Sequence, residues 1–364
     1  MTIQDICASF DVGGKYISCT ELTSGNINNT YKVTFLRDGK EKKYIVQRIN
    51  KHVFKQPEKV MDNIVRITDY VRDRIEQSGL PTKKFVLRAF LSKQTGKAFV
   101  VDNNGDYWRC YRFIENSTTY DTCKDLTLIE RVGEAFGRFQ KTLDGFDASS
   151  LHISIPDFHN TIKRFESFHK AIEEDKFNRV EKVKEEIEKL LSFEQEACLL
   201  QRYLDNGTVP LRVTHNDTKC NNVSFDKTTG EALAVLDLDT VMSGAIAHDF
   251  GDAIRFVANA TIEDDPNTDN VSLDIDKYTA FTKGFVSQVK DGLTDLEKET
   301  LNLGVFAMTV ELAVRFLTDY LCGDEYFKTK HPGHNLERAR NQIALAEDIL
   351  SKRAVMSEII KKFF

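Results

Sequence analysis

Alternating apolar and polar positions mark the first third of the chain, and helical spacing marks the rest. Three segments read as strands: Tyr16-Ile17-Ser18-Cys19, Thr30-Tyr31-Lys32-Val33-Thr34-Phe35 and Tyr44-Ile45-Val46-Gln47-Arg48-Ile49. Arg37-Asp38-Gly39-Lys40 predicts a hairpin turn between the second and third. The first and second are joined by Thr23-Ser24-Gly25-Asn26-Ile27-Asn28-Asn29, rich in short polar residues that tolerate positive φ. Pro57 opens an amphipathic helix with Val60, Ile64, Ile67 and Val71 on one face. Residues 84–114 read as further strands, turned at Asp102-Asn103-Asn104-Gly105, the last running from Tyr107 to Ile114 and into Glu115.

From residue 126 the period becomes helical. Leu128, Ile129, Val132, Ala135, Phe136 and Phe139 form an apolar face, and Gly133 and Gly137 on that helix predict close packing against a neighbour. Residues 178–204 read as one long charged helix stopped by Asp205-Asn206-Gly207, followed by a short strand over 208–213. Residues 262–276 form a polar, acidic loop, and 296–322 and 336–362 are amphipathic helices. The first of those helices carries Glu311, Arg315, Asp319 and Tyr320 among apolar residues, as internal ion pairs or as the wall of a polar pocket. Strands before and helices after place a boundary near 115–117. The expected class is α+β, with a β-rich lobe over 1–116 and a mainly helical lobe over 117–364.

Composition narrows the partners. The 364-residue chain is 41% hydrophobic and 29% charged, with net charge −6, and its pI is near 5.8. Bulk electrostatics therefore favours neither nucleic acid nor an anionic membrane. No apolar run reaches the ~18 residues expected of a membrane helix, and the start lacks signal-peptide features, so a cytoplasmic protein is expected. Seven cysteines without a C-x-x-C pair suggest neither a disulfide framework nor a zinc ribbon. Most are expected as buried thiols, and Cys220, inside a polar loop, as one open to alkylation. Oligomeric state stays open between monomer and homodimer.

That polar loop holds the chemistry. Val213-Thr214-His215-Asn216-Asp217-Thr218-Lys219-Cys220-Asn221-Asn222-Val223 reads as strand, loop and strand, and a later apolar run ends in Leu236-Asp237-Leu238-Asp239. Asp217 precedes Asn222 by five positions, and Asp237 follows Asn222 by fifteen. Phosphoryl transfer from ATP needs a carboxylate to orient the attacking hydroxyl, and an amide plus a second carboxylate to hold Mg2+. The same five-residue offset separates base and metal ligand in kinase catalytic loops. Asp217 is thus the candidate base, with Asn222 and Asp237 the candidate metal ligands.

The literal Asp249-Phe250-Gly251 is a decoy, because its sequence opens a helix, whereas Asp237 stands at a strand end. Asp249 and Asp252 then cap a helix, brace the loop or touch substrate. His215 is expected as a loop brace, its ring fixed by backbone carbonyls. Ser24, Gly25, Asn26 and Asn28 could cover nucleotide phosphates through backbone N–H groups. Arg48 would be the strand-borne cation on the phosphates, with Glu58 or Asp62 as its partner. By position, Glu115 lies in the hinge that would meet adenine.

His215-x-Asp217-x-x-x-x-Asn222 with Leu236-Asp237 resembles the aminoglycoside phosphotransferase and choline kinase family. The fuller string from Thr214 to Asn222, with Leu236–Met242, Asp249–Arg255 and Gly25–Tyr31, is most similar to N-acetylhexosamine 1-kinases. Ser243-Gly244 stands where Pro-Gly is the rule, and the strand cation is Arg in place of Lys. The resemblance implies a bilobal protein-kinase-like fold and use of Mg-ATP. It also implies phosphorylation of the anomeric hydroxyl of GlcNAc or GalNAc, with Asp217 as base. Lys219 takes the place where many protein kinases keep a lysine near the γ-phosphate. Asp252, Arg255, Arg315 and Tyr320 are the candidate substrate contacts. Other acceptors weighed are choline, homoserine, an aminoglycoside and methylthioribose. Readings outside this class are a metal-dependent phosphohydrolase using His215, His248 and Asp249, and a catalytically dead nucleotide-binding regulator.

Overall fold

The computed structural model describes residues 1–22 and 27–364. Ser24, Gly25 and Asn26, expected over the phosphates, lie outside the described residues. The chain forms two compact units, one of residues 1–119, 145–156 and 223–242, the other of residues 120–144, 157–222 and 243–364.

In the first unit, helix α1 (Ile3–Ala8) precedes strands β1 (Lys15–Leu22), β2 (Asn29–Arg37) and β3 (Lys40–Arg48). Helices α2 (Pro57–Gln77) and α3 (Thr82–Phe85) follow, then β4 (Val100–Val101), β5 (Tyr107–Arg112) and β6 (Ser117–Thr118). The sheet runs β1-β2-β3-β5-β4, with every pair antiparallel. The β2–β3 turn is the expected one, with Asp38 and Gly39 both at positive φ (52° and 71°), the twist that a two-residue hairpin needs. One face of the sheet packs Val33, Phe35, Tyr44, Val46, Trp108 and Cys110 against Ile6, Cys7 and Phe10. Residues 84–114 depart from the expected run of strands. Only β4 and β5 form there, while Thr82–Phe85 is a helical turn and the intervening chain makes single bridges at Ala89 and Ser92. Short apolar runs fit either state until tertiary pairing decides. A smaller sheet joins β6 to the hairpin Val223–Asp226 and Ala232–Val235.

The second unit is helical. It contains α4 (Leu126–Thr142), α5 (Thr161–Glu174), α6 (Lys184–Ala197), α7 (Leu199–Asp205), α8 (Ile246–Val257), α9 (Ile275–Val289), α10 (Asp295–Leu321), α11 (His334–Ser351) and α12 (Arg353–Phe363). Gly133 and Gly137 of α4 lie against α9, where an added Cβ would overlap the carbonyl oxygens of Phe281 and Phe285. The expected single helix over 178–204 is instead a 3-10 turn followed by α6 and α7. They break at buried Cys198, and the stop at Gly207 (φ 72°) falls where expected. The last predicted helix is likewise divided, at Lys352.

Helix α10 corrects the expectation that no stretch is apolar enough for a membrane: by length and composition it would pass, but most of it is buried inside the protein. It packs on α8, α11, α5 and α6, so its apolar surface belongs to the core.

Candidate active site

In the second unit, strand Arg212–Thr214 leads into the polar loop. Asn216 adopts φ 64°, a left-handed conformation that Asn tolerates better than most residues. Helix α8 holds this turn. Asp249 Oδ2 accepts the His215 N–H and Oδ1 accepts the Asn216 N–H, both at 2.8 Å. Gln140 Nε2 adds a third bond to Asp249, at 2.6 Å. One helical turn on, Asp252 Oδ2 accepts the Thr218 N–H at 2.8 Å, and the Thr218 hydroxyl donates to the Asp249 carbonyl at 2.7 Å. Asp249 and Asp252 share a helix face at i,i+3, which is why one element can pin His215, Asn216 and Thr218 of the loop.

From the other side, His159 Nε2 meets the Asn216 carbonyl at 3.0 Å, while its Nδ1 meets Glu311 Oε1 at 3.0 Å. Burial by itself would depress the His159 pKa. Glu311 outweighs it, so His159 is raised, and Glu311 in turn is lowered by His159 despite its own burial. The pair is a buried charge–charge contact beneath the loop backbone.

The loop presents Asp217 only partly covered, with 27% of its side chain exposed. Asn222 Nδ2 donates to the Asp217 carbonyl at 2.9 Å and to its Oδ2 at 3.1 Å, and Lys219 Nζ lies 2.7 Å from Oδ1. Both amide hydrogens of Asn222 thus point at Asp217, which turns its Oδ1 the opposite way. Desolvation would lower the Lys219 pKa, but Asp217 and Asp252 raise it, keeping the lysine charged. His215 is buried, with its ring edge-on to Phe136 and Phe139 at 5.6 and 6.0 Å. Its Nδ1 accepts the Asp217 N–H at 3.3 Å, so it braces the loop, with a backbone N–H and phenyl rings in place of the expected carbonyls. Cys220 is fully buried, which corrects the expectation of an alkylatable thiol; the segment starting at Tyr120 covers it, and its Sγ donates to the Tyr120 carbonyl at 3.2 Å.

The expected substrate contacts are engaged within this unit. Arg255 donates to Asp252 and to Glu263, each at 2.9 Å. Burial would raise the Asp252 carboxyl, but Arg255 and Lys219 prevail and hold it at about 2. Arg315 stacks over Phe158, Tyr326 and Phe327, while Tyr320 stacks under Arg179. The two therefore have different neighbours. Asp319 accepts the Tyr326 and Phe327 N–H groups and the Asn335 amide.

In the first unit, Asp237 follows strand Ala232–Val235 at φ 53° and is exposed, whereas Asp239 is buried. Asp239 receives both terminal nitrogens of buried Arg109, Nη2 to Oδ2 at 3.0 Å, and the Asn28 amide at 2.7 Å. Gln47 Oε1 accepts from Arg109 Nε at 2.9 Å, consistent with the expectation that Gln47 points opposite to Arg48. Arg48 itself bonds Asn29 at 2.8 Å and Asp106 at 3.4 Å on the face shared with Val46 and Trp108. Neither expected partner reaches it: Glu58 accepts from the Tyr107 hydroxyl, and Asp62 meets His152 and Arg66. Strand parity puts Arg48 on the core face and Arg109 on the other. The sequence pattern gave Arg109 no role; the available signal was a cation flanked by the aromatic and apolar residues Tyr107, Trp108, Cys110 and Tyr111 of β5. Glu115 lies 3.7 Å from Lys43.

Among the described residues, no three His, Cys, Asp or Glu side chains converge as a metal-ligand set. His215, His248 and Asp249 do not form one, since Asp249 is occupied by backbone N–H groups and the His215 ring by phenyl contacts.

An antiparallel N-terminal sheet, a larger helical part and a loop that couples Asp217 to Asn222 define a protein-kinase-like phosphotransferase. Residues 18–277 match the phosphotransferase enzyme family, and the chain belongs to it. Among solved structures, the choline kinase of Cryptosporidium parvum is 14% identical, with TM-score 0.56 over 98% of this chain and 96% of that one. A spectinomycin phosphotransferase solved with ADP and spectinomycin is 12% identical, with TM-score 0.55 over 94% of each chain. A choline/ethanolamine kinase family protein of Mesorhizobium loti is 12% identical, with TM-score 0.53 over 99% of this chain and 98% of that one. At these identities the likeness establishes the fold.

Proposed function

We propose that the protein is an ATP-dependent small-molecule kinase that phosphorylates the anomeric hydroxyl of an N-acetylhexosamine, giving the 1-phosphate. The observation that carries the kinase reading is the Asp217–Asn222 contact within a loop fixed by Asp249 and Asp252. The sugar acceptor rests on the resemblance of the strings 214–222, 236–242 and 249–255. Two observations weigh against a cationic acceptor held by the acidic loop. Glu263 is paired with Arg255, and Asp264 with Lys330 and Arg338.

Bound Mg-ATP would supply the phosphoryl group and neutralise charge on it. Magnesium prefers oxygen ligands, which suits the Asn222 amide oxygen and the exposed Asp237 carboxylate; these two residues would hold it. Asp217 accepts a hydrogen bond from the acceptor hydroxyl, orients its lone pair toward phosphorus and takes the proton as the P–O bond forms. Lys219, ion-paired to Asp217, stays charged and is available to a phosphate oxygen. Nucleotide contacts are assigned to Ser24, Gly25, Asn26 and Asn28, to Arg48 and to the backbone at Glu115. Arg109, on the opposite sheet face to Arg48, positions Asp239. Arg315 and Tyr320 would face the sugar.

ADP release measured across N-acetylhexosamines, choline, homoserine, methylthioribose and aminoglycosides, with phosphorus NMR of the product, tests the reading. An anomeric phosphate on GlcNAc or GalNAc is expected. Turnover confined to an amino alcohol or aminoglycoside would overturn the sugar assignment, and phosphate release without any acceptor would overturn the kinase assignment.

A further inference from the structure

We propose that doubly protonated His159 is a positioning residue of the catalytic loop, and that turnover requires its Nε2–H on the Asn216 carbonyl. The effect on turnover rests on the kinase reading above; the protonation state does not. Both ring nitrogens of His159 face oxygen acceptors, Nε2 the Asn216 carbonyl and Nδ1 the Glu311 Oε1, each at 3.0 Å. A neutral imidazole has one N–H, so one of these contacts would set two lone pairs against each other. The proton between Nδ1 and Oε1 belongs to the ring, because a carboxyl is intrinsically more acidic than an imidazolium by about 2 pH units. The other oxygen of Glu311 also serves as an acceptor, taking the Thr161 hydroxyl at 3.1 Å.

The charged neighbours favour this state. Arg315 lies one turn along α10 from Glu311 and stacks on Phe158, and Arg164 of α5 donates to the Phe158 carbonyl at 2.8 Å. Burial acts against the Glu311 charge, and His159, Arg315 and Arg164 outweigh it. Burial likewise opposes the imidazolium, and Glu311 with Asp252 of α8 outweighs it. The ring of His248, also on α8, lies 5.6 Å from that of His159. Burial and then the His159 charge push His248 down to about 3, so it stays neutral. When His159 gives up one proton, the remaining one stays on Nδ1, where the bond to a carboxylate is charge-assisted. Nε2 is then bare against the Asn216 carbonyl, which must turn away. That carbonyl belongs to the peptide unit whose N–H is that of Asp217, accepted by His215 Nδ1 at 3.3 Å. Rotating the unit moves the candidate base with it, and a displacement of about 1 Å can cost on the order of 100-fold in rate.

The test titrates the full chain, isotope-labelled at histidine and aspartate, by nitrogen NMR from pH 6 to 10. The spectrum of His159→Phe assigns the His159 signals. Both His159 nitrogens are expected to be protonated at pH 7, and the Asp217 amide to shift with the His159 midpoint. Through that midpoint kcat is expected to fall at least about ten-fold, with little change in KM for ATP. His159→Phe is expected to show a displaced Asp217 amide and, at pH 7, a kcat at least about ten-fold lower, with no alkaline limb. In Glu311→Gln the new amide can donate to Nδ1, which keeps the proton on Nε2 of a neutral ring. Its Asp217 amide, and its kcat relative to its own maximum, are expected to lose the native midpoint. A singly protonated His159 at pH 7, an Asp217 amide unmoved both by the titration and by His159→Phe, or a Glu311→Gln protein that keeps the native midpoint overturns the proposal. The signals of the native chain decide the protonation even where a variant fails to fold. Since they need no turnover, a native chain inert toward every acceptor would instead count against the kinase reading.

Discussion

Asp249 Oδ1 accepts the N–H of Asn216 at 2.8 Å, and the carbonyl of Asn216 is met by His159 Nε2 at 3.0 Å. The peptide units on both sides of a left-handed Asn are thus fixed, and Asp217 follows directly. Asp249→Ala removes the acceptor for two buried N–H groups and the Gln140 amide. A stability loss of about 2–4 kcal/mol is expected in urea unfolding. A kcat loss of at least about 100-fold should accompany it. A variant of wild-type stability and rate would show that the loop holds its shape without α8.

The His159–Glu311 pair gives a pH signature. The folded pKa of His159 is raised above 6.5, so its contribution is fully present below pH 6.5 and is lost as pH rises through the higher folded value. Glu311 is lowered below 4.5, so its contribution is present above pH 4.5 and is lost as pH falls through the lower folded value. His159→Phe should therefore be most destabilising, relative to the native chain, between these limits. The difference should narrow toward alkaline pH. Urea midpoints measured from pH 4 to 9 check this, and a pH-independent difference would exclude a charged His159.

Arg109 and Arg48 should separate cleanly. Arg109 is buried against Asp239, so Arg109→Met leaves a buried carboxylate uncompensated and should cost about 3–5 kcal/mol. Arg48 is 44% exposed in its pair with Asp106, so Arg48→Ala should cost about 1 kcal/mol or less. If Arg48 contacts nucleotide phosphate, that small stability change should come with a raised KM for ATP. An unchanged KM would remove Arg48 from the nucleotide site.

Asp217→Asn keeps the size of the base and removes its charge. Turnover should fall by at least about 1,000-fold, while nucleotide affinity, read by calorimetry, stays close to that of the native chain. Near-native turnover in this variant would remove Asp217 as the base.

Local chemistry made much of the fold readable. The Asp38-Gly39 hairpin, the Pro57 helix start, the Gly207 stop and the α4 glycines each depend on a few neighbouring residues, and each stands where the pattern put it. Boundaries failed where neighbouring alternatives differ little in energy, as at Cys198 and Lys352.

By itself the sequence determined the succession of a β-rich part by a helical part, the Asp217–Asn222 offset and the choice of Asp237 over Asp249 as the strand-end carboxylate. Those are short-range properties, written in spacing and strand parity. Tertiary structure alone decided the partners. Arg109 meets Asp239 across 130 positions, His159 meets Glu311 across 152, and buried Cys220 meets the Tyr120 carbonyl across 100. Such pairings leave no periodicity in the chain, because a buried charge or thiol is satisfied by whichever group the packing brings to it.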